Sequence, residues 1–255
     1  MDWHKRYLQQ AVWTHDLRSY LFERADLAAA RRLLEVGCGT GAVISDLWLP
    51  EARALVPRER YPGLACGVDL DPGAVVQCRV NAPFATVARA DGLALPFADQ
   101  LFDIVYCHFF LLWVRDPLAA LLEMKRVAAR KGRILILAEP DYADRIDEPP
   151  DLAFAGVLQT RSLQLQGADV TIGAHIADLF SNAGIQIIET GQIQSHSRAP
   201  SNDRDALDEW FVLRFDLERT ASSEEVNRIQ QLDAKARNLG VRRIHVPTYF
   251  AWGQV

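Results

Sequence analysis

The sequence contains few cysteines, and none of them shows the spacing of metal ligands. Its 255 residues include four, Cys38, Cys66, Cys78 and Cys107, with no C-x-x-C pair and no two histidines four residues apart. Structural zinc sites use such paired ligands, so we expect no metal. Isolated cysteines of this kind are typically buried free thiols, which favours a reducing compartment.

Long apolar runs are also missing. No stretch is long enough to span a membrane, and the first residues are charged and polar, unlike those of a signal peptide. The formal net charge is −5, so nothing indicates the broad basic surface that nucleic-acid binding uses. These absences predict a cytoplasmic protein that acts on neither membranes nor nucleic acids.

The most informative stretch is LLEVGCGTG, which begins at Leu33. An apolar run with β character contains the acid Glu35 and leads into Gly37, Gly39 and Gly41. Glycine can adopt positive φ, and without a Cβ its backbone can approach a ligand closely. Helix-compatible residues follow, so the pattern predicts a strand, a tight turn and a helix N-terminus, whose free N–H groups suit a polar ligand.

Two classes of cofactor use a turn of this kind. Gly37, Gly39 and Ala42 fit a loose G-x-G-x-x-G/A dinucleotide fingerprint, which leaves an NAD(P)-dependent oxidoreductase open. That class needs an acid about 20 residues past the turn. The chain has RYPG there, and Asp69 comes late, although an insertion at 50–63 could account for the delay.

The pattern E-x-G-x-G-x-G that starts at Glu35 resembles the first motif of the class I S-adenosylmethionine-dependent methyltransferases. The GVDLDP segment, 67–72, is similar to the second motif of that family. The ADGLALPF segment, 90–97, is similar to a run found in its small-molecule, type 11 members, which dinucleotide dehydrogenases have no reason to show. The resemblance covers about the first 140 residues and implies S-adenosylmethionine as cofactor and S-adenosylhomocysteine as product.

Acids at two predicted strand ends suit a nucleoside. Asp69, after the second strand, can accept hydrogen bonds from both ribose hydroxyls, or it is only a strand-end acid. Asp71, followed by a proline, is better interpreted as a helix cap. Asp91 can accept from the adenine amine while Gly92 and Leu93 let the ring lie against backbone, or it is a plain turn aspartate.

Three other residues have a possible place at the methionine end of the cofactor. His108 lies at the end of the predicted fourth strand. In members of the family that it resembles, the residue at this position lies beside the methyl group that is transferred. A structural role for this histidine is equally open. Trp13 and Arg18 lie on a predicted N-terminal helix over 3–24, and Arg18 either meets the cofactor or is a solvated charge. The predicted cofactor-binding residues are Trp13, Arg18, Glu35, Gly37, Gly39, Asp69, Leu70, Asp91, Gly92, Leu93 and His108.

The pattern through residue 140 is α/β. Alternating strands and helices predict a doubly wound parallel sheet with helices on both faces. Two later strands, 185–194 and 242–252, would complete a seven-stranded Rossmann-like sheet of order 3-2-1-4-5-7-6, with the last strand antiparallel. Helices near 203–219 and 223–238 predict a lid over the cleft, and the aromatic residues that begin at Trp210 either pack its core or wall an apolar substrate.

We divide the chain into a capping helix, 1–30, a cofactor-binding core, 31–140, and a lid and substrate region with the last two strands, 141–255. The predicted activity is methyl transfer to a small-molecule acceptor by in-line displacement, which needs positioning and exclusion of water.

A hydroxyl or protonated amine acceptor would also need a base, for which His108, Asp141 and Tyr142 are candidates, so no catalytic residue is assigned. A non-catalytic protein that keeps the adenosyl-cofactor pocket for regulation stays open, because its pocket residues would be the same. The acceptor, the methylated atom and the oligomeric state do not follow from the sequence.

Overall fold

The computed structural model describes residues 3–48, 64–193 and 203–255. Strands and α-helices are numbered separately, in chain order. The strands are β1 (Arg32–Val36), β2 (Leu64–Asp69), β3 (Thr86–Arg89), β4 (Phe102–Cys107), β5 (Ala128–Pro140), β6 (Ile146–Glu148), β7 (Gln186–Ile193), β8 (Arg243–His245) and β9 (Thr248–Gln254). The α-helices are α1 (Trp3–Trp13), α2 (His15–Arg24), α3 (Pro72–Asn81), α4 (Pro117–Val127), α5 (Ala153–Leu165), α6 (Ile172–Asn182), α7 (Asp203–Leu217) and α8 (Ser223–Asn238).

The main sheet has seven strands in the order β3-β2-β1-β4-β5-β9-β7. The first five strands of the chain are mutually parallel. β9 runs antiparallel to both of its neighbours, β5 and β7. Within this sheet β7 is the sixth strand and β9 the seventh, so the predicted Rossmann-like α/β fold, its order 3-2-1-4-5-7-6 and its antiparallel last strand are confirmed.

Both faces of the sheet are covered, which is why the central strands are apolar throughout. Neighbouring residues of β1 point to opposite faces, and Leu34 packs in a cluster with α4 and α6 whereas Leu33 packs in a cluster with α2 and α3. The four cysteines are buried and free within these two clusters. Among the described helices, none has the length and apolar composition needed to cross a membrane.

The predicted single helix over 3–24 is two helices, α1 and α2, separated at Thr14. Thr14 adopts φ −107° and ψ 5°, and its hydroxyl lies 3.3 Å from the Ala11 carbonyl, where it competes with the backbone as threonine often does. The helix expected after the glycine turn is, where it is described, a turn followed by the 3-10 helix Ile44–Trp48.

The predicted closing strand over 242–252 is also two strands, because Pro247 has no N–H for a sheet ladder. β8, before this proline, leaves the main sheet and pairs antiparallel with β6 in a separate two-stranded sheet. Neither the pairing nor β6 was predicted. The division into three regions stays a prediction, and β9 of the last region completes the same sheet as the core.

We call the helices α5, α7 and α8, together with β6 and β8, the lid. The lid helices have their own apolar cluster, which contains Trp210, Leu213 and Leu217 of α7. Phe215, also on α7, lines the cavity described below. The aromatic stretch that begins at Trp210 therefore packs the core of the lid and also supplies part of a cavity wall, whereas contact with an apolar substrate stays a prediction.

Buried ion pairs join the two strands of the lid to α8. Asp147 on β6 accepts hydrogen bonds from Arg145, at 2.7 Å, and from Arg242, at 2.6 Å. Arg242 also donates to Asp233 on α8, at 2.7 Å. Asp147, Arg242 and Asp233 are all buried, so loss of one partner would leave a charge without compensation away from water.

We therefore expect Asp147→Asn to lower the free energy of unfolding by about 3–5 kcal/mol, the range for a broken buried ion pair. Urea unfolding followed by circular dichroism would measure this. Glu218→Gln is the matched control, because it removes an exposed ion pair with Arg214 on the same lid and should cost less than about 1 kcal/mol. Equal effects of the two substitutions would contradict the prediction.

Candidate functional site

A cavity of about 710 Å³ lies at the carboxyl ends of the parallel strands, where open α/β sheets bind their ligands. Residues of α1 and of the lid form its other walls. Most of the predicted cofactor-binding residues line it, namely Glu35, Gly37, Gly39, Asp69, Leu70, Asp91, Gly92, Leu93 and His108. The wall away from the sheet, which we call the lid side, is lined by Trp3, Arg6, Gln159, Gln166, Phe215 and Asp216.

The glycine turn has the conformation that its sequence predicted. Gly37, Gly39 and Gly41 have φ of 74°, 49° and 87°, values that side chains rarely adopt. The Gly37 amide donates to the Val68 carbonyl at 2.8 Å, so the turn is held against β2. A Cβ at Gly37 would collide with the Phe110 ring, which leaves glycine as the residue that fits there.

Asp69 connects the glycine turn to the end of β2. One carboxylate oxygen accepts from the Gly39 amide at 2.8 Å, and the other accepts from the Asp71 amide at 2.9 Å. Each oxygen retains acceptor capacity, because a carboxylate offers about four lone-pair positions. Asp71 accepts from the Gly73 amide at 2.7 Å and is the N-cap of α3, as predicted.

Asp91 has one oxygen engaged within its own loop. Its Oδ1 accepts from the Leu93 amide at 2.9 Å, and no described residue donates a hydrogen bond to its other oxygen. Gly92 lies beneath the Phe110 ring, where an added Cβ would be 2.6 Å from the ring. The loop is therefore pressed against the same phenylalanine as the glycine turn.

Glu35 and His108 are titratable groups of the cavity whose pKa values burial shifts in the direction that favours the neutral form. Burial raises the pKa of Glu35 well above its usual range, although the Tyr106 hydroxyl donates to it at 3.3 Å. Burial and the positive charge of Arg18 lower the pKa of His108 well below its usual value. The His108 Nε2 lies 2.9 Å from the Thr14 hydroxyl, so the helix break positions this ring.

Arg18 and Trp13 are not among the residues that line the cavity, and their contact with the cofactor stays a prediction. Arg18 is buried rather than solvated, forms an ion pair with Asp46 and donates to the Thr14 hydroxyl, so it stabilises the junction of α1 and α2. Trp13 is 54% exposed, and the Arg6 guanidinium stacks on its ring at 4.7 Å. Arg6, and not Arg18, is the arginine of the N-terminal helices that lines the cavity, and Arg115 lines it as well.

The sequence interpretation predicted an N-terminal capping helix but did not identify which residues of α1 line the cavity. Trp3, Arg6, Tyr7 and Gln10 all line the cavity. They are spaced i, i+3, i+4 and i+7, so they share one helix face. That spacing is visible in the sequence, but it mixes polar and aromatic residues and so does not appear as apolar periodicity. Asp216 and its neighbours on the lid had no comparable local signal.

Glu139 fixes the loop that follows β4 and was not among the predicted site residues. Its Oε1 accepts from the amides of Phe110 and Leu111, both at 2.8 Å, and its Oε2 accepts from Leu112 at 3.3 Å. Burial raises the pKa of Glu139 to about 7, although these amides oppose the shift. The nearby Asp141, a candidate base, accepts instead from backbone amides of its own turn.

Residues 34–136 match the family model described as "Methyltransferase domain". An uncharacterized 37.1 kDa protein in transposon Tn4556 of Streptomyces fradiae is 29% identical over 85% of this chain and 61% of its own length. A demethylmenaquinone methyltransferase of Roseiflexus castenholzii is 36% identical over 42% of each chain. The chain thus spans less than two thirds of these relatives.

A crystal structure of a putative methyltransferase from Bacillus halodurans aligns over 94% of this chain and 98% of its own, with a TM-score of 0.59 and 16% identity, and shows the same fold. Fold and site define a Rossmann-like protein with a ligand cavity over a glycine turn. The match over residues 34–136 and the shared fold confirm the resemblance to the class I S-adenosylmethionine-dependent methyltransferases that was seen in the motifs. The oxidoreductase alternative is not favoured.

The raised pKa of Glu139 predicts a pH dependence of stability. A carboxyl group with a folded pKa of about 7, against an ordinary 4.5, stabilises the fold when protonated, and that contribution is lost as the pH rises through 7. The free energy of unfolding should therefore fall by up to about 3 kcal/mol as the pH rises from the ordinary pKa of the carboxyl group to its pKa in the folded protein.

Urea unfolding of the wild type and Glu139→Gln across this pH range would measure the effect. The contributions of all other titrating groups are common to the two proteins and cancel in the difference between their free energies of unfolding. That difference should therefore change with pH through Glu139 alone. Glu148→Gln, an exposed position on β6, is the control and should give a constant difference. A constant difference for Glu139→Gln as well would disprove the assignment.

Proposed function

We propose that this protein transfers the methyl group of S-adenosylmethionine to a small-molecule acceptor by in-line displacement. The observation that carries the proposal is a single cavity in which the glycine turn, Asp69 and Asp91 line one side while residues of α1 and the lid line the other. The cofactor, when bound, supplies a methyl group on a positively charged sulfur, which is already electrophilic. The protein has to bind the cofactor and the acceptor, orient them for in-line displacement, and exclude water.

The residues present fit an adenosyl group. Asp69 keeps free acceptor positions on both oxygens, which suits two vicinal hydroxyls. Asp91 keeps one oxygen for an amine donor, and Gly92 lets its loop pack against the Phe110 ring at the edge of the cavity. Leu70, at the end of β2, is 60% exposed and offers an apolar contact beside Asp69.

The acceptor belongs on the lid side, where α1 and the lid exclude water. A relative is named for demethylmenaquinone, which is consistent with a small-molecule acceptor. The net charge of −5 offers little attraction for nucleic acid. His108 and Tyr142 line the cavity, but a neutral His108 beside Thr14 contributes orientation more readily than charge.

Asp69→Asn tests the cofactor site, because it removes the charge and one acceptor while keeping the shape of the side chain. We expect the dissociation constant for S-adenosylmethionine to rise by about tenfold to a hundredfold, the scale of lost charge-assisted hydrogen bonds. Isothermal titration calorimetry with the full chain would measure it.

Asp71→Asn is the matched control. It makes the same chemical change two residues away, and asparagine caps a helix as well as aspartate does, so binding should be unchanged. NAD should bind more weakly than S-adenosylmethionine to every protein tested. Tighter binding of NAD, or equal effects of the two substitutions, would disprove the cofactor assignment. Cofactor binding without turnover of any acceptor would favour the non-catalytic alternative.

A further inference from the structure

The lid side of the cavity contains a buried carboxylate that the cofactor site does not use. Asp216 on α7 is 5% exposed, and it accepts from the Gln159 amide at 2.7 Å and from the Gln166 amide at 3.1 Å. Both donors are neutral, and each carboxylate oxygen keeps acceptor capacity. No described Lys, Arg or His lies within ion-pair distance of Asp216.

A second network holds this carboxylate in place. The Gln159 side-chain oxygen accepts a hydrogen bond from Arg145, and Arg145 is itself paired with the buried Asp147 at 2.7 Å. The side-chain amide of Gln159 therefore directs its N–H toward Asp216. A flip of this amide would break the hydrogen bonds at both of its ends. Asp216 is oriented before a ligand binds, which lowers the cost of using it in a reaction.

Arg6 provides the complementary charge at the same wall. Its guanidinium lines the cavity and stacks on Trp13, and it makes no hydrogen bond or ion pair with any described residue. A guanidinium carries five N–H donors, so an anionic group of a ligand is a natural partner. Burial lowers the pKa of Arg6, and the nearby acidic groups Tyr142, Glu209 and Asp216 oppose that shift.

The surrounding wall is apolar and aromatic. Trp3 meets Phe215 edge to face, with ring centroids 5.5 Å apart, and both rings line the cavity. Leu163 on α5 and Val212 on α7 line the same cavity. Flat apolar molecules bury well against such surfaces.

We propose, on the basis of the methyltransferase function above, that the lid side binds an acceptor with an acidic hydroxyl, a phenol or enol, on a planar apolar skeleton. Asp216 is the base and Arg6 binds the resulting oxyanion. The O–H bond breaks and its proton goes to Asp216. The oxygen electron pair forms the new bond to the methyl carbon, while the pair of the broken C–S bond stays on sulfur.

The two charges together favour this acceptor over two others. A carboxylic acid is already ionised at neutral pH, so it needs no base and is repelled by the Asp216 carboxylate. A protonated amine is attracted by Asp216 but repelled by Arg6. A neutral hydroxyl approaches both groups without repulsion and uses both once its proton moves.

A matched set of acceptors tests the substrate class: a naphthol, a naphthylmethylamine and a naphthoic acid with the same ring substitution. With the full chain and S-adenosylmethionine, we expect kcat/KM for the naphthol to exceed that for each of the others at least tenfold. Preference for the amine or the acid, or no turnover of the naphthol by protein that binds the cofactor in calorimetry, would overturn the inference. Absence of cofactor binding would instead refute the proposed function.

Asp216→Asn tests the base. We expect kcat with the naphthol to fall about a hundredfold at neutral pH, the usual scale for a lost general base. The deficit should shrink as the pH passes the pKa of the naphthol, because the acceptor then arrives ionised. The charged or titratable groups that act on Asp216 are Arg6, Tyr142 and Arg219, and all of them remain in this variant. A deficit that is the same at every pH would indicate a structural role and overturn the assignment.

Arg6→Gln tests the oxyanion site with a readout that does not need turnover. With S-adenosylhomocysteine bound, the absorption spectrum of the naphthol should show more of its ionised form in wild type than in the variant. Asp151→Asn, just before α5, and Arg228→Gln, on α8, change exposed residues; they are the controls and should match wild type in kcat and spectrum. An unchanged spectrum in Arg6→Gln would overturn the role of Arg6.

Discussion

The hydrogen bond from the Gly39 amide to the Asp69 carboxylate is the contact on which the site depends. It joins the turn after β1 to the end of β2, so the backbone that approaches a ligand and the carboxylate that would bind one are placed together. The same carboxylate accepts from the Asp71 amide, which sets where α3 begins. A side chain restrained from both sides is oriented without help from a ligand.

Phe110 and Glu139 extend this arrangement to the rest of the sheet edge. The Phe110 ring lies over Gly37 and Gly92, so two loops that follow different strands pack against the same ring. A Cβ at either glycine would collide with that ring. Glu139 accepts from three successive amides of the loop that carries Phe110, which ties the loop to the end of β5. The floor of the cavity is therefore one connected unit, against which α1 and the lid are placed.

Much of this unit was predictable, because its signals are local. Alternating glycines after an apolar strand, and acids where Asp69 and Asp91 follow later strands, depend on few neighbouring residues. The breaks at Thr14 and Pro247 also have local signals, but the apolar patterns continue across both residues and predict uninterrupted elements. The solvated alternative for Arg18 was wrong for a different reason, since the burial of this side chain depends on an ion pair with Asp46, from another segment.

The sequence by itself determined the Rossmann-like sheet, its strand order and the residues of the glycine turn, since periodicity and backbone sterics act over short distances along the chain. Only the tertiary structure decided that Arg6 and Asp216, from opposite ends of the chain, line one wall, and that Gln159 and Gln166 hold the carboxylate between them. Such contacts depend on how α1, α5 and α7 pack against each other, and no short segment encodes that packing.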